Sequence, residues 1–239
     1  RILKLIRKWL TCGVIEAGDF HETEMGTPQG GVISPLLANI YLHEFDKFWT
    51  QQNSVVGKLV RYCDDFVILF GTKEDAKLGL QLVKTKLGEM GLKLNESKTK
   101  IVEMRNGKEG FDFLGFHHRR VMSPRYWKYY TQKWPSAKAM NSIRVKIRDT
   151  IGKRSMLPLS IGDVIKKINP ILRGWMSYFR YGNSTKKFAR IDGYVHERLA
   201  LWWGKKHQKS GRRWKTDFTY AMFRQCGVQI LAGNVVYWS

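Results

Sequence analysis

Two adjacent acids, Asp64 and Asp65, sit within LVRYCDDFVILF at residues 59–70 and are flanked on both sides by apolar residues. Neighbouring carboxylates repel each other, and enclosing them costs hydration as well. A hard divalent cation offsets both costs, because Mg²⁺ takes oxygen ligands, often one or two carboxylates plus substrate phosphates. The chemistry would then be in-line displacement at phosphorus, with two ions about 3.5–4 Å apart steadying the attacking and leaving oxygens. The plainer reading is a solvated turn, and the pair taken alone favours it.

Other residues bear on that choice. In GTPQGGVISP, Gly26, Gly30 and Gly31 around Pro28 and Gln29 allow close backbone approach to a ligand, and Gln29 both donates and accepts. A Gly-rich turn before a helix is by itself more often structural than phosphate-binding. Lys98, taken by itself, reads as a surface lysine in a basic turn. The phenylalanines of GFDFLGF, residues 110–116, read with Leu114 as core. His117 and His118 are adjacent, so from a strand they cannot face one metal; a polar turn or a phosphate contact suits them better. Three cysteines, Cys12, Cys63 and Cys226, with no close pair indicate neither a disulfide framework nor structural zinc, and a reducing, intracellular setting fits them.

The elements that must position these groups follow from periodicity. The apolar runs on either side of the acids predict buried strands paired as a hairpin, with the acids at its turn. Ser34 and Pro35 predict a helix start, with Ser34 as the cap and Leu37, Ile40, Tyr41 and Phe45 as a buried stripe. RILKLIRKWL opens the chain as a helix, and residues 11–25 read as a loop with short strands. Thr72 caps a helix over 72–90 with Ala76, Leu80, Val83, Leu87 and Met90 on one face, and Gly91 ends it. A turn at Asn95 leads to a strand from about residue 99. Residues 121–135 read as a link between domains. Beyond it the pattern is helical: 136–151 with Met140, Ile143, Ile147 and Ile151 inward, 160–168, a break at Asn169-Pro170 that starts another helix, and 185–206 with Phe188, Ile191, Val195, Leu199 and Trp202 inward.

Charge divides the chain. Of 239 residues, 1–115 carry 16 Lys and Arg against 15 Asp and Glu, whereas 116–239 carry 26 against 5. A near-neutral catalytic part followed by a basic part predicts a polyanionic partner for the second half. Cations interleaved with tryptophans suit RNA, phosphates meeting the charges and unpaired bases the rings. For any single residue, a solvated basic surface or a packed aromatic is the alternative. No apolar run is long enough to span a bilayer.

TPQGGVISPLLANIYL, RYCDDFVILF, GLKLNESKTKIV and FDFLGF, in this order, resemble the later sequence blocks of reverse transcriptases, specifically the bacterial group II intron types. INPILRGWMSYFRYG with LWWGKKH resembles the maturase-specific thumb of the same proteins. The resemblance implies an α+β fold, a partial right-hand polymerase palm of antiparallel sheet with helices, followed by an α-helical thumb. It sets the expected domains at 1–120 for the palm, 121–135 for the linker, 136–207 for the thumb and 208–239 for a basic tail.

The implied function is RNA-directed DNA polymerisation together with intron RNA splicing, using Mg²⁺ in a two-metal site. Asp64 would be a metal ligand and Asp65 its partner, with Lys98 near the leaving pyrophosphate. Pro28, Gln29, Gly30, Gly31 and Tyr62 would shape the nucleotide, template and primer-end pocket, and Phe113, Leu114 and Gly115 would support the primer. Arg173, Trp175, Phe179 and Arg180 would serve as thumb packing or RNA contacts, joined by the basic faces of Lys186, Lys187, Arg190 and Arg198.

Cys63 stands where the family most often has Ala. No residue matches the family's first, separate metal-binding Asp or its fingers, so the chain is expected to be part of a longer protein and inactive alone, with no HNH nuclease cluster within it. Intron RNA, template RNA, a DNA primer and deoxynucleoside triphosphates are the expected partners, with no membrane, in a bacterial cytoplasm and in association with RNA or the nucleoid. The rivals are a non-polymerising RNA-binding splicing factor, against which the intact acid block argues, and a CRISPR-associated or retron-type reverse transcriptase, against which the maturase-like thumb argues.

Overall fold

Backbone ladders follow the apolar runs around the acid pair. Strands β3 (Gly57–Tyr62) and β4 (Asp65–Phe70) pair antiparallel, with Tyr62 opposite Asp65, so Cys63 and Asp64 form a two-residue turn. The computed structural model describes residues 1–11, 13–16, 19–21, 32–52, 56–209 and 218–237. Contacts divide the chain into Arg1–Ile101 and Val102–Ser239.

In the first unit, helix α1 (Ile2–Leu10) buries none of its residues, and β1 (Val14–Glu16) pairs antiparallel with β2 (Asp19–His21). Helix α2 (Ser34–Lys47) runs into a π-helical turn, Phe48–Gln52. Helix α3 (Lys73–Glu89) is capped as expected, the Thr72 hydroxyl accepting from the Asp75 N–H at 3.0 Å. Gly91, at φ +69°, ends it, while the Leu92 N–H returns to the Leu87 carbonyl at 2.8 Å. Phe45, Trp49, Val83 and Leu87 form the core, and Leu59, Phe66, Ile68 and Phe70 pack on it from one face of the hairpin. The Trp49 indole donates to the Gly57 carbonyl at 2.7 Å. Phe70 lies so close to Gly79 that an added Cβ would sit 2.2 Å from its ring, so α3 approaches the sheet through a residue without a side chain.

Four expectations fail in this unit. Ile33, not Ser34, occupies the cap position of α2, and no side chain caps it. Of the expected stripe only Phe45 is buried, while Ile40 and Tyr41 are exposed, because a two-stranded sheet covers just one stretch of the helix. Val60, Tyr62 and Leu69 are exposed for the same reason: the hairpin buries one face, not two. Residues 99–104 form no strand, for a strand needs a neighbour to receive its ladder bonds.

The second unit joins a three-stranded antiparallel sheet, β5 (Gly110–Phe113), β6 (Phe116–Met122) and β7 (Tyr129–Pro135), to four helices, α4 (Ala137–Ile151), α5 (Ile161–Phe179), α6 (Thr185–Lys206) and α7 (Tyr220–Gln225). Residues 121–135, expected as a link, are therefore largely strand, and His117 and His118 lie in β6 rather than a turn. Helices α4 and α6 bury the residues their periodicity selects, and Ser136 caps α4 by accepting from the Ala139 N–H.

The break expected at Asn169-Pro170 is absent, and α5 runs through Pro170. Val164, Ile165, Ile168, Leu172 and Phe179 are buried along it, and that packing outweighs the one N–H that proline withholds. The tail is structural: Phe218, Phe223 and Leu231 are core residues, and Val236 bridges to Tyr181.

Candidate functional site

The β3–β4 turn presents its acids by a strained route. Cys63 takes φ +54°, a left-handed conformation unusual for a residue with a Cβ. Asp64 and Asp65 are exposed, and among the described residues no hydrogen bond or ion pair engages either carboxylate. Adjacent hard oxygen donors left uncompensated fit a divalent cation. Two carboxylates alone do not enclose one, and among the described residues no cluster of three or more metal-ligating side chains occurs. Any ion here would need further ligands beyond these two carboxylates.

Sequence reading missed the group that holds this turn. The Arg61 guanidinium points to the core side of the hairpin and meets α2. Its Nε donates to Asp46 Oδ1 at 2.7 Å and an Nη to Asp46 Oδ2, a bidentate pair. The other Nη donates to Asn39 Oδ1 at 2.9 Å and to the Cys63 carbonyl at 2.7 Å. Arg61 is 11% exposed and Asp46 28%, and the hydrogen bond to Asp46 raises the Arg61 pKa further above its ordinary value, against the effect of burial. One guanidinium thus ties the peptide immediately before Asp64 to a helix. The partner lies 15 residues earlier, so no local pattern announces the pair.

Tyr62 is exposed beside the acids. Lys98 is exposed in the turn closed by the Lys98 and Thr99 N–H groups on the Asn95 carbonyl, and no hydrogen bond or ion pair joins it to the aspartates among the described residues. Pro28, Gln29, Gly30 and Gly31 lie outside the described residues.

The block at Phe113, Leu114 and Gly115 belongs to the second unit, where Phe113 and Phe116 pair across a tight turn. Leu114 and Gly115 both have positive φ, +48° and +77°. The Tyr178 hydroxyl donates to the Leu114 carbonyl at 2.9 Å, and the Ser136 N–H donates to that of Gly115 at 2.9 Å. Helix α5 and the start of α4 therefore fix this turn. On β6, His117 Nδ1 lies 2.6 Å from Asp112 Oδ1, while His118 stacks on Phe111 and burial lowers its pKa, with Lys133 adding to the effect.

The helical positions separate into core and surface. Phe179 is buried, and Trp175 packs between it and Phe188, at 4.8 and 5.5 Å between ring centres. Arg173, Lys186 and Arg190 are exposed; Arg180, Lys187 and Arg198 are half-buried. Among the described residues, the buried Nε atoms of Arg144, Arg180 and Arg198 have no hydrogen-bond partner. Burial lowers the Lys187 pKa, and repulsion from Arg190 and Arg144 lowers it further. Asp192, a second residue sequence reading missed, is buried on α6 and accepts from the Leu231 and Ala232 N–H groups at 2.9 and 2.8 Å. An acid four residues after Phe188 on an otherwise apolar stripe is the signal that could have found it.

Two protein families match successive parts of this chain. Residues 1–118 match the family profile of reverse transcriptase (RNA-dependent DNA polymerase), and residues 140–219 match the group II intron, maturase-specific domain. The chain is 34% identical over 153 residues to protein YkfC of Escherichia coli, a match covering 51% of this chain and 39% of that protein. It is 29% identical over 181 residues to the group II intron-encoded protein LtrA of Lactococcus lactis, covering 50% and 30%. A 91 kDa protein in the cob intron of Schizosaccharomyces pombe is 24% identical over 265 residues, covering 82% and 33%. The matched part thus spans 30–39% of the length of these relatives. A telomerase chain from Candida albicans, solved with a fragment of telomeric RNA, overlays at TM-score 0.39 and 15% identity over 87% of this chain and 35% of that one, too loosely to argue from.

Proposed function

We propose that this chain, which belongs to the group II intron-encoded reverse transcriptases and maturases, contributes the acid pair for templated DNA synthesis on RNA and the basic surface for binding intron RNA. The observation that carries this reading is the exposed, uncompensated pair Asp64 and Asp65 on a turn clamped by Arg61. In the reaction a primer 3′-oxygen attacks the α-phosphate of a deoxynucleoside triphosphate, and pyrophosphate leaves. Mg²⁺ bound at the pair would supply charge neutralisation of the phosphate and activation of the attacking oxygen.

The chain's own residues provide the frame. Asp64, with Asp65 beside it, offers the ligand oxygens, and Arg61 holds the preceding carbonyl still. Lys98 meets charge developing on the leaving group. Tyr62 lies beside the primer end, Pro28, Gln29, Gly30 and Gly31 line the nucleotide pocket, and the turn at Phe113, Leu114 and Gly115 supports the primer.

Residues 1–120 act as palm, and residues 136–207 act as the helical thumb. There Arg173, Lys186 and Arg190 contact phosphates, and Arg198, Arg180 and Lys187 reach them from half-buried positions; Trp175 and Phe179 act by packing. An anion relieves the mutual repulsion of Arg144, Lys187 and Arg190. No helix among the described residues is long and apolar enough to cross a membrane. The proposed setting is a bacterial cytoplasm, in association with RNA.

The test is Mg²⁺-dependent primer extension on an RNA template by the full-length protein. Asp64→Ala is expected to lower extension by at least about 100-fold, the scale of losing a transition-state charge stabiliser, with RNA affinity unchanged. Near-normal extension by that variant would overturn the metal assignment.

A further inference from the structure

The β6–β7 hairpin ends on a loop, residues 124–127, closed by its own backbone. The Ser123 N–H donates to the Lys128 carbonyl and the Trp127 N–H to the Ser123 carbonyl, both at 2.9 Å, and the Tyr126 N–H reaches Ser123 Oγ at 3.3 Å. While the backbone is satisfied inward, the side chains face water: Tyr126 is 66% and Trp127 80% exposed. Trp127 also takes φ +50°, a conformation that suits glycine. A tryptophan there costs backbone strain and leaves a large apolar ring hydrated, and among the described residues no ring or hydrogen-bond partner engages its indole.

Charge around the loop has one sign. The Arg125 guanidinium lies over the Tyr126 ring and that of Arg120 over the Tyr129 ring, each at 5.4 Å. Lys128 follows, and no Asp or Glu occurs between residues 114 and 148. Planar rings paired with planar cations, and no acid near them in sequence, match unpaired bases and their phosphates. We propose that this hairpin tip is a docking surface for single-stranded RNA: Trp127 and Tyr126 stack on bases, and Arg120, Arg125 and Lys128 engage the flanking phosphates. A protein partner would bring apolar surface and carboxylates in a fixed pattern, whereas rings accept any base and the cations any phosphate. This site rests on the reading that the chain works on RNA, and adds a contact outside the helices.

Fluorescence anisotropy of an unstructured RNA oligonucleotide with the full-length protein tests it, with a duplex of the same length as competitor and primer extension measured in parallel. Trp127→Ala is expected to weaken single-strand binding about 10-fold without changing its salt dependence, because stacking releases no counterions. Trp127→Phe should recover most of the loss. Arg125→Gln should instead reduce the steepness of log affinity against log salt by about 0.7. Trp127→Gly controls for folding: glycine relieves the strained φ, so the melting temperature should hold or rise while binding falls as it does for alanine.

Unchanged single-strand affinity in both the alanine and glycine variants overturns the proposal, even where primer extension is normal and the wider function stands. Loss of binding to phosphatidylglycerol vesicles in those variants, with RNA affinity intact, overturns it in favour of a membrane surface. A wild-type protein that neither extends primers nor binds RNA removes the functional reading and this site with it.

Discussion

Arg61 is a charge spent entirely on placement. Its donors go to both oxygens of Asp46, to Asn39 and to the Cys63 carbonyl, and none goes to the acids it stands beside. That selectivity leaves the Asp64 and Asp65 carboxylates unengaged by Arg61 while removing freedom from the peptide that carries them. A lysine keeps the charge but presents one nitrogen, which cannot span three partners in a plane. Arg61→Lys is therefore expected to lower the extension rate at saturating nucleotide about 10- to 100-fold, the range a small misplacement of a reacting group produces. Asp46→Asn should cost a similar factor, and the double variant no more than either alone, since the two side chains act as a unit. Extension rates and RNA Kd measured together check this. A lowered melting temperature with an unchanged rate would reduce the clamp to a fold contact.

Among elements, the helices with a regular apolar period were legible and those decided by distant contacts were not. Thr72, Ser136 and the stripes of α3, α4 and α6 announce themselves because cap and face lie within a few residues of each other. The acid pair was legible as a turn between apolar runs, but its clamp was not, because Arg61 and Asp46 meet only in the folded chain. Pro170 reads as a break until the buried residues around it are counted, and the Asn169 side chain then serves another purpose: it donates to the Gly227 carbonyl and accepts from the Gln229 N–H, both at 2.9 Å. The tail read as a basic appendage because its anchors, Asp192 and Asn169, are polar residues on helices far away in sequence.

Asp192 gives the tail a measurable pH signature. Burial raises its pKa above the ordinary 3.8, against the opposing hydrogen bonds from Ala232 and Leu231 and the charge of Arg224. The native state thus holds its proton to higher pH than the unfolded chain does. The stability contributed by this group is fully present below 3.8 and is lost as pH rises through the folded value. Melting curves across that interval should show wild type losing ground to Asp192→Asn as pH increases. Asp192→Ala, which leaves the Leu231 and Ala232 N–H groups without an acceptor, should destabilise at every pH, by about 1–3 kcal/mol for each orphaned donor. A wild-type advantage that grows with pH would contradict the assigned direction.

At the scale of the molecule, charge is partitioned along the chain rather than spread over it. The first 115 residues nearly balance, and several of their cations already have acids, as Lys84 has Glu96 at 3.1 Å and Lys86 has Glu89 at 3.3 Å. The remainder carries 26 Lys and Arg against 5 acids, and its helical face sets Arg190 and Arg144 close enough to Lys187 to lower that amine's pKa. Uncompensated cations gather counterions that bound RNA releases, whereas a cation already answered by a carboxylate has few to give. RNA affinity should therefore fall by about 10³-fold or more between 50 and 200 mM salt, as for a protein making six or more phosphate contacts. Lys186→Gln and Arg190→Gln should each reduce the log–log slope by about 0.7 on single-stranded RNA, while Lys84→Gln leaves it unchanged. Equal effects from all three substitutions would mean that RNA reads only the total charge. Unequal effects in the stated order would mean that the second half grips RNA through cations that no carboxylate answers.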